Sequence, residues 1–147
     1  MTRQFRDRIG LGLLVLRGGI GLMFALVHGW PKLAGGVTNW KAVGGAFTRL
    51  IGISLAPEFW GFMAMLAEFG GGLCLVAGVL CRPACAMLFF TMSVAVVSII
   101  RGGYGFRSAS QPVELALAVA ALFLTGPGKF TLLAFFRKSE PVPGHAK

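Results

Sequence analysis

Four long apolar segments, separated by short groups of polar residues, dominate the hydrophobic pattern of the chain. They cover residues 9–30, 59–80, 83–100 and 108–125. A transmembrane helix needs about 20 predominantly apolar residues, with about 17 as the lower limit. The strongly apolar part of the fourth segment begins only at Pro112, so this span either recruits residues from about Arg107 onward or lies in a locally thinned bilayer. The pattern therefore predicts an all-α fold, an integral membrane four-helix bundle.

A second helical periodicity lies between the first two segments. Apolar residues recur there at steps of three and four: Trp40, Val43, Phe47, Leu50 and Ile51. Thr38 or Asn39 precedes these residues, at a suitable place for a helix N-cap. We predict a short amphipathic interfacial helix, which lies on the outer membrane face between helices one and two. The alternative is a loop with scattered apolar residues, which Gly44 and Gly45 favour because glycine weakens a helix.

The ends of the segments predict how the chain is oriented. It starts like a signal peptide, but its first apolar run continues to Trp30 without a convincing small-residue cleavage site, which indicates an uncleaved span. Four spans place both termini on one side, which then holds eight basic residues against five on the other. The positive-inside rule predicts cytoplasmic termini, in a multi-pass protein of the bacterial inner membrane. We expect residues 1–138 to form one transmembrane domain and residues 139–147 a disordered tail.

The composition indicates lipid as the main partner. Hydrophobic residues make up 56% of the chain and charged residues only 13%, with a net charge of +9. A soluble domain has about a quarter charged residues. Because the basic residues mostly flank apolar runs, anionic lipid head groups explain the charge better than nucleic acid does. The three cysteines, an odd number in apolar surroundings, argue against a disulfide framework, and we expect no intrinsic metal or haem.

Three ionisable residues inside the spans are candidates for a functional site. Arg17 and His28 are three helical turns apart and lie on one stripe of the first helix, together with Gly21 and Phe24. Glu68 shares a face of the second helix with small residues that permit close helix packing: Gly61, Ala64, Gly71, Gly72 and Gly78. Because a charge that faces hydrocarbon costs at least ~2.5 kcal/mol, we predict that Arg17 pairs with Glu68 inside the bundle. Such a pair either belongs to a functional site or only locks two helices together.

Further polar residues are predicted at one end of the bundle, beneath the interfacial helix. They are His28, Lys32, Arg101, Tyr104, Arg107 and Glu114. With Arg17 and Glu68 as a polar floor, this cluster predicts an extracytoplasmic pocket for a ligand head group, in which histidine and carboxylates exchange protons. Alternatives stay open, because His28 and Lys32 also suit the head-group level of a bilayer and Glu114 also suits the positive end of a helix dipole.

Three stretches of the chain resemble signatures of the DoxX family of membrane proteins. They are LRGGIGLMFALVHGWPKL in the first helix, AEFGGGLCLVAGVLCRPA in the second and PVELALAVAALFLTGPGKFTL in the fourth. The resemblance covers about residues 9–133 and includes Arg17, His28, Lys32, Glu68 and Glu114. It implies a four-helix membrane protein of a family linked to respiratory or sulfur redox complexes, including a thiosulfate:quinone oxidoreductase, and to membrane assemblies that counter oxidative stress.

Two positions depart from the pattern of that family. The family often has a histidine at the end of the third helix, where this chain reads SIIRGGYG and has Arg101. It often has serine and aspartate after the final glycine, where this chain reads KFTLLAFF, with Thr131 but no acid. Any family chemistry at these two positions is therefore altered here.

The residues and the resemblance together favour a subunit of a quinone-linked or oxidative-stress redox complex. Its pocket binds a quinone-like or small polar ligand, while partner subunits supply the electrons. The alternative is a non-enzymatic membrane scaffold or assembly factor, whose polar residues only fasten helices. A small-solute transporter is a third hypothesis, although four spans without an evident inverted repeat argue against it. Homo-oligomerisation stays open.

Overall fold

The computed structural model of the chain describes residues 3–52, 55–132 and 134, and the regular elements in these ranges are helices. The helical segments are Arg3–Leu22 (α1), Met23–Gly29 (π1), Trp30–Ala34 (α2), Gly36–Ile51 (α3), Pro57–Met65 (α4), Leu66–Gly70 (π2), Gly71–Ala77 (α5), Cys81–Arg101 (α6) and Gly105–Thr125 (α7). The segments named π are π-helical turns inside otherwise α-helical rods. The predicted tail, residues 139–147, lies outside the described residues.

Four continuous helices are long and apolar enough to cross a membrane: Gln4–Ala34, Pro57–Ala77, Cys81–Arg101 and Gly105–Thr125. This confirms the all-α fold with four membrane spans. The first helix begins earlier than predicted because the polar residues at its start continue the helix, which makes it about 46 Å long at 1.5 Å per residue. The fourth begins at Gly105, three residues before position 108, so it recruits polar residues from the preceding turn, which was one of the two alternatives for this span.

The connection between the first two spans contains a helix rather than an irregular loop. This helix, α3, has 16 residues and is followed by Gly52, whose left-handed φ of 71° ends it. The cap predicted at Thr38 or Asn39 is wrong, because the helix begins at Gly36 and both residues lie within it. The Asn39 amide instead donates a hydrogen bond to the Pro31 carbonyl at 3.3 Å. That α3 lies at the membrane surface stays a prediction.

The helices pack around a core of buried apolar side chains from all four spans, most of which were not predicted. Helix α3 packs along α4, α6 along α7, and the first span along the second through α1, α5 and the two π-helical segments. Phe24 of the predicted Arg17 stripe is fully buried at the centre of this core. The other large core side chains are Leu75, Leu88, Val119 and Leu122.

Glycines bring the backbones of the first and second spans into direct contact. A Cβ added at Gly21 would lie 2.6 Å from the Gly72 carbonyl oxygen, and one added at Gly72 would lie 2.7 Å from the Ala25 nitrogen. A Cβ at Gly29 would lie 2.6 Å from the Phe69 Cα. The small-residue face of the second helix is therefore the packing seam, as predicted. Segments π1 and π2 contact each other at this seam, and π-helical turns inside α-helices often occur at functional sites.

Candidate ligand-binding site

A buried ion pair joins the first and second spans at the π-helical seam. Glu68, on π2, is only 2% exposed, and its carboxylate forms an ion pair with the Lys32 ammonium. The same ammonium donates a hydrogen bond to the His28 carbonyl at 3.2 Å. The Trp40 indole donates to the Lys32 carbonyl at 2.8 Å, so α3 holds the backbone of this lysine. Lys32 therefore belongs to the helical continuation of the first span and reaches inward to Glu68.

Arg17 does not pair with Glu68, so the predicted Arg17–Glu68 pair is wrong. Arg17 is 1% exposed, and its guanidinium donates hydrogen bonds to the carbonyls of Leu75 and Val76, both at 2.7 Å, and to the carbonyl of Phe130. The first two carbonyls lie in the last turn of α5, at the negative end of the helix dipole, and the Leu75 carbonyl also accepts from the Gly78 N–H at 3.1 Å. Glu68 lies seven residues before Leu75, about 10 Å away along the helix. Arg17 therefore fastens the end of the second span.

Gly78, which follows α5, offers a test of this fastening. Its φ is 69°, and a Cβ there would lie 2.6 Å from Nη1 of Arg17. We expect Gly78→Ala to lower the free energy of unfolding by about 2–3 kcal/mol, because left-handed strain of about 1–2 kcal/mol is joined by displacement of the guanidinium. Gly103→Ala is the matched control, since Gly103 has a φ of 77° but open space around a Cβ. Equal losses in the two variants, measured by unfolding in mixed micelles, would show that Arg17 does not depend on this glycine.

A cavity of about 600 Å³ lies beside the ion pair, between α3, the second span and α6. Its lining residues are Lys32, Val43, Gly44, Ala46, Phe47, Trp60, Met63, Ala64, Ala67, Glu68, Ala86, Met87, Phe90, Thr91, Val94, Ala95, Ser98 and Ile99. Lys32 and Glu68 are the charged members of this lining, and most of the rest is apolar. Met87 and Phe90 are 42% and 56% exposed, so the cavity reaches the outer, lipid-facing surface of a span.

The other predicted site residues lie outside this cavity. The His28 ring packs against Phe24, with 5.8 Å between ring centroids, and its Nε2 is buried without a hydrogen-bond partner among the described residues. Arg101 is exposed and donates to the Leu50 carbonyl at 3.3 Å, and Tyr104 is 73% exposed. Arg101 and Tyr104 therefore do not line the cavity, and their predicted place in the pocket is wrong.

Glu114 also lies away from the cavity, on the exposed face of α7. The buried positions of this helix are Ala109, Pro112, Ala116, Val119 and Leu122. Their three- and four-residue spacing turns position 114 outward, so its predicted place in the pocket is wrong. The α6 wall of the cavity was not predicted, although residues 87, 90, 91, 94 and 98 recur there at helical spacing.

A comparison with protein families shows that the cavity lies in the part of the chain that is shared with a known family. The family model described as DoxX matches residues 12–101. The chain belongs to the DoxX family. All lining residues of the cavity, from Lys32 to Ile99, fall inside the matched region of this DoxX protein, whereas α7 falls outside it. The comparisons with curated proteins and with solved structures each gave no match. This DoxX protein is a multi-pass membrane protein, consistent with its four spans.

Proposed function

We propose that this DoxX protein is the membrane subunit of a redox assembly and binds the head group of a quinone-like molecule in the cavity. The observation that carries the proposal is the Lys32–Glu68 pair, buried in the wall of an otherwise apolar cavity that reaches the lipid-facing surface. Ionisable residues within membrane spans are costly and commonly mark functional sites. We further propose that the cytoplasm holds both termini, which places this cavity toward the extracytoplasmic side.

The shape of the cavity suits an amphipathic ring compound. Ligand sites usually measure about 300–1,000 Å³, and they combine apolar walls with a few polar groups that fix orientation. The cavity of about 600 Å³ follows this description. The exposed side chains of Met87 and Phe90 provide an apolar path, along which a lipid-soluble tail extends into the bilayer. A ligand of this kind enters from the membrane rather than from water.

The ion pair supplies the polar contacts that such a head group requires. An ammonium group has three N–H donors, of which two point to Glu68 and to the His28 carbonyl. The third is available to a quinone carbonyl in the cavity. When a quinone takes up two electrons and two protons, it becomes a hydroquinone. The Glu68 carboxylate then accepts a hydrogen bond from a hydroxyl group of the hydroquinone. In this proposal the chain binds the head group and passes protons, and an electron-donating partner subunit supplies both electrons.

A leucine that fills the cavity without touching the ion pair tests the proposal. Ala95 lines the cavity on α6, so we expect Ala95→Leu to weaken the binding of a short-tailed 1,4-benzoquinone at least tenfold, because added methyl groups occupy the ring site. The measurement is a titration of the purified protein in detergent micelles, followed by tryptophan fluorescence, since Trp60 lines the same cavity. The matched control is Ala121→Leu, the same change at an exposed position of α7.

The alternative of a non-enzymatic scaffold makes the opposite prediction. In a scaffold the ion pair only fastens the first span to the second. The wild-type protein would then show no saturable binding of the quinone. The Ala95→Leu variant would co-purify with its partner proteins as well as the wild-type protein does. Saturable binding that survives Ala95→Leu but not Ala121→Leu would also reject the proposed site.

A further inference from the structure

Ser98 provides a polar group in the cavity wall that the proposed function leaves without a role. It lies on α6 and lines the cavity near one end of this helix. Its hydroxyl oxygen is buried and has no hydrogen-bond partner among residues 3–52, 55–132 and 134. A buried hydroxyl without a partner costs free energy, because it has lost its hydrogen bonds to water and gained none in the protein. A ligand that bonds to this hydroxyl would remove that cost.

Other helical hydroxyl groups in the described part of the chain behave differently from that of Ser98. Each of the following donates to a backbone carbonyl of the preceding turn, at 2.8–2.9 Å: Thr91, Ser93, Ser108, Ser110 and Thr125. This bond is the usual way in which serine and threonine are satisfied within a helix. Ser98 lacks it and faces the cavity instead, and rotation about a single side-chain bond directs its hydroxyl at a bound molecule.

The position of Ser98 relative to the ion pair follows from helix packing. Helix α5 runs antiparallel to α6, and a Cβ on Gly71 would lie 3.4 Å from Leu88. Glu68, three residues before Gly71, is therefore level with about Thr91 on α6. Ser98 is seven residues beyond Thr91, which separates it from the level of Glu68 by about 10 Å along the helix axis. Ser98 thus lies near one end of the α6 wall, which runs from Ala86 to Ile99, and about two helical turns from the level of Glu68.

We infer that the ligand carries two hydrogen-bonding oxygens on opposite sides of one ring, the first bound at Lys32–Glu68 and the second at Ser98. A six-membered ring with two para oxygens and a hydrogen bond of about 2.8 Å at each end spans about 10 Å. This inference rests on the proposed function and narrows it to para-quinones and their hydroquinones. Ser98 is then a specificity-determining residue, which distinguishes these compounds from ring lipids with a single oxygen.

Replacing Ser98 by alanine removes the hydroxyl while leaving a small side chain in the cavity wall. We expect Ser98→Ala to raise the Kd of a short-tailed 1,4-benzoquinone about tenfold, the effect of one lost hydrogen bond. The Kd of a phenol with the same tail, whose one oxygen binds at Lys32–Glu68, should change less than twofold. The matched control is Ser93→Ala, on the same helix, whose hydroxyl bonds to the Phe89 carbonyl and which does not line the cavity. Both compounds are titrated into the intact protein in detergent micelles.

The outcomes separate this inference from the proposed function. If the wild-type protein binds neither compound, the proposed function fails and the inference fails with it. If both compounds bind and Ser98→Ala weakens them equally, or weakens neither, the proposed site stands and the two-ended ligand is rejected. Selective loss of benzoquinone affinity, in Ser98→Ala but not in Ser93→Ala, supports the inference.

Discussion

Replacing Lys32 by methionine is expected to lower the free energy of unfolding by about 3–5 kcal/mol. The change leaves the carboxylate of Glu68, which is 2% exposed, without its partner, and removal of one member of a buried ion pair has a cost of this size. Unfolding by added SDS in mixed micelles measures the loss. Lys41→Met is the matched control, because the Lys41–Glu58 pair spans 3.4 Å between side chains that are 68% and 40% exposed. Exposed pairs contribute about 0–1 kcal/mol.

A double variant separates the two purposes of the ion pair. In Lys32→Met/Glu68→Leu both charges are replaced by apolar groups, so we expect most of the lost stability to return. Quinone binding should not return, because the head group has lost its polar contacts. If the double variant regains neither property, the pair is a structural fastening whose geometry apolar groups cannot reproduce. If it regains both, the charges have no part in ligand binding.

Replacing Gly44 by alanine is expected to disrupt the packing of α3 on α4, with a loss of about 3 kcal/mol. A Cβ at Gly44 would lie 2.6 Å from the Gly61 nitrogen and 2.8 Å from the Pro57 carbonyl carbon, and these backbone atoms cannot move aside as a flexible side chain does. Because α3 forms one wall of the cavity, quinone affinity should fall as well. The measurements are SDS unfolding and the benzoquinone titration.

The neighbouring glycine is a close control for this variant. The nearest atom to a Cβ at Gly45 is Nη1 of Arg49, at 3.4 Å and at the end of a flexible side chain. Gly45→Ala should therefore leave stability unchanged or raise it by up to about 1 kcal/mol, since alanine is the better helix former. Equal effects at the two positions would contradict direct backbone contact between α3 and α4.

Hydrophobic periodicity predicted the fold well because membrane helices bury their backbone polar groups internally and must be long and apolar. It also predicted the inward faces, since Gly21, Phe24 and Glu68 are buried. The helix between the first two spans was predicted by the recurrence of its apolar residues. The glycine at position 44, which argued against that helix, instead permits its close contact with the second span.

The pairing of the buried charges could not be predicted in the same way. An estimate of how deep each charge lies in the membrane assumes straight α-helices whose ends are known. In the structure, two π-helical turns and several glycine contacts decide which residues of the first and second spans lie side by side. The two Nη groups of Arg17 donate to backbone carbonyls, and a sequence does not show which carbonyls such a side chain will reach. The outward position of Glu114 could have been predicted from the sequence, because apolar residues of α7 recur at helical spacing on the opposite face.

Infrared difference spectroscopy of quinone binding tests the central claim most directly, because carboxylate bands report on the surroundings of single glutamate residues. The protein is recorded with and without the short-tailed 1,4-benzoquinone, beside the variants Glu68→Gln and Glu114→Gln. We expect a carboxyl band that shifts on binding in the wild-type protein and in Glu114→Gln and that is missing in Glu68→Gln. A band that persists in Glu68→Gln, or saturable binding with no carboxyl band at all, would show that the ligand does not meet the buried ion pair.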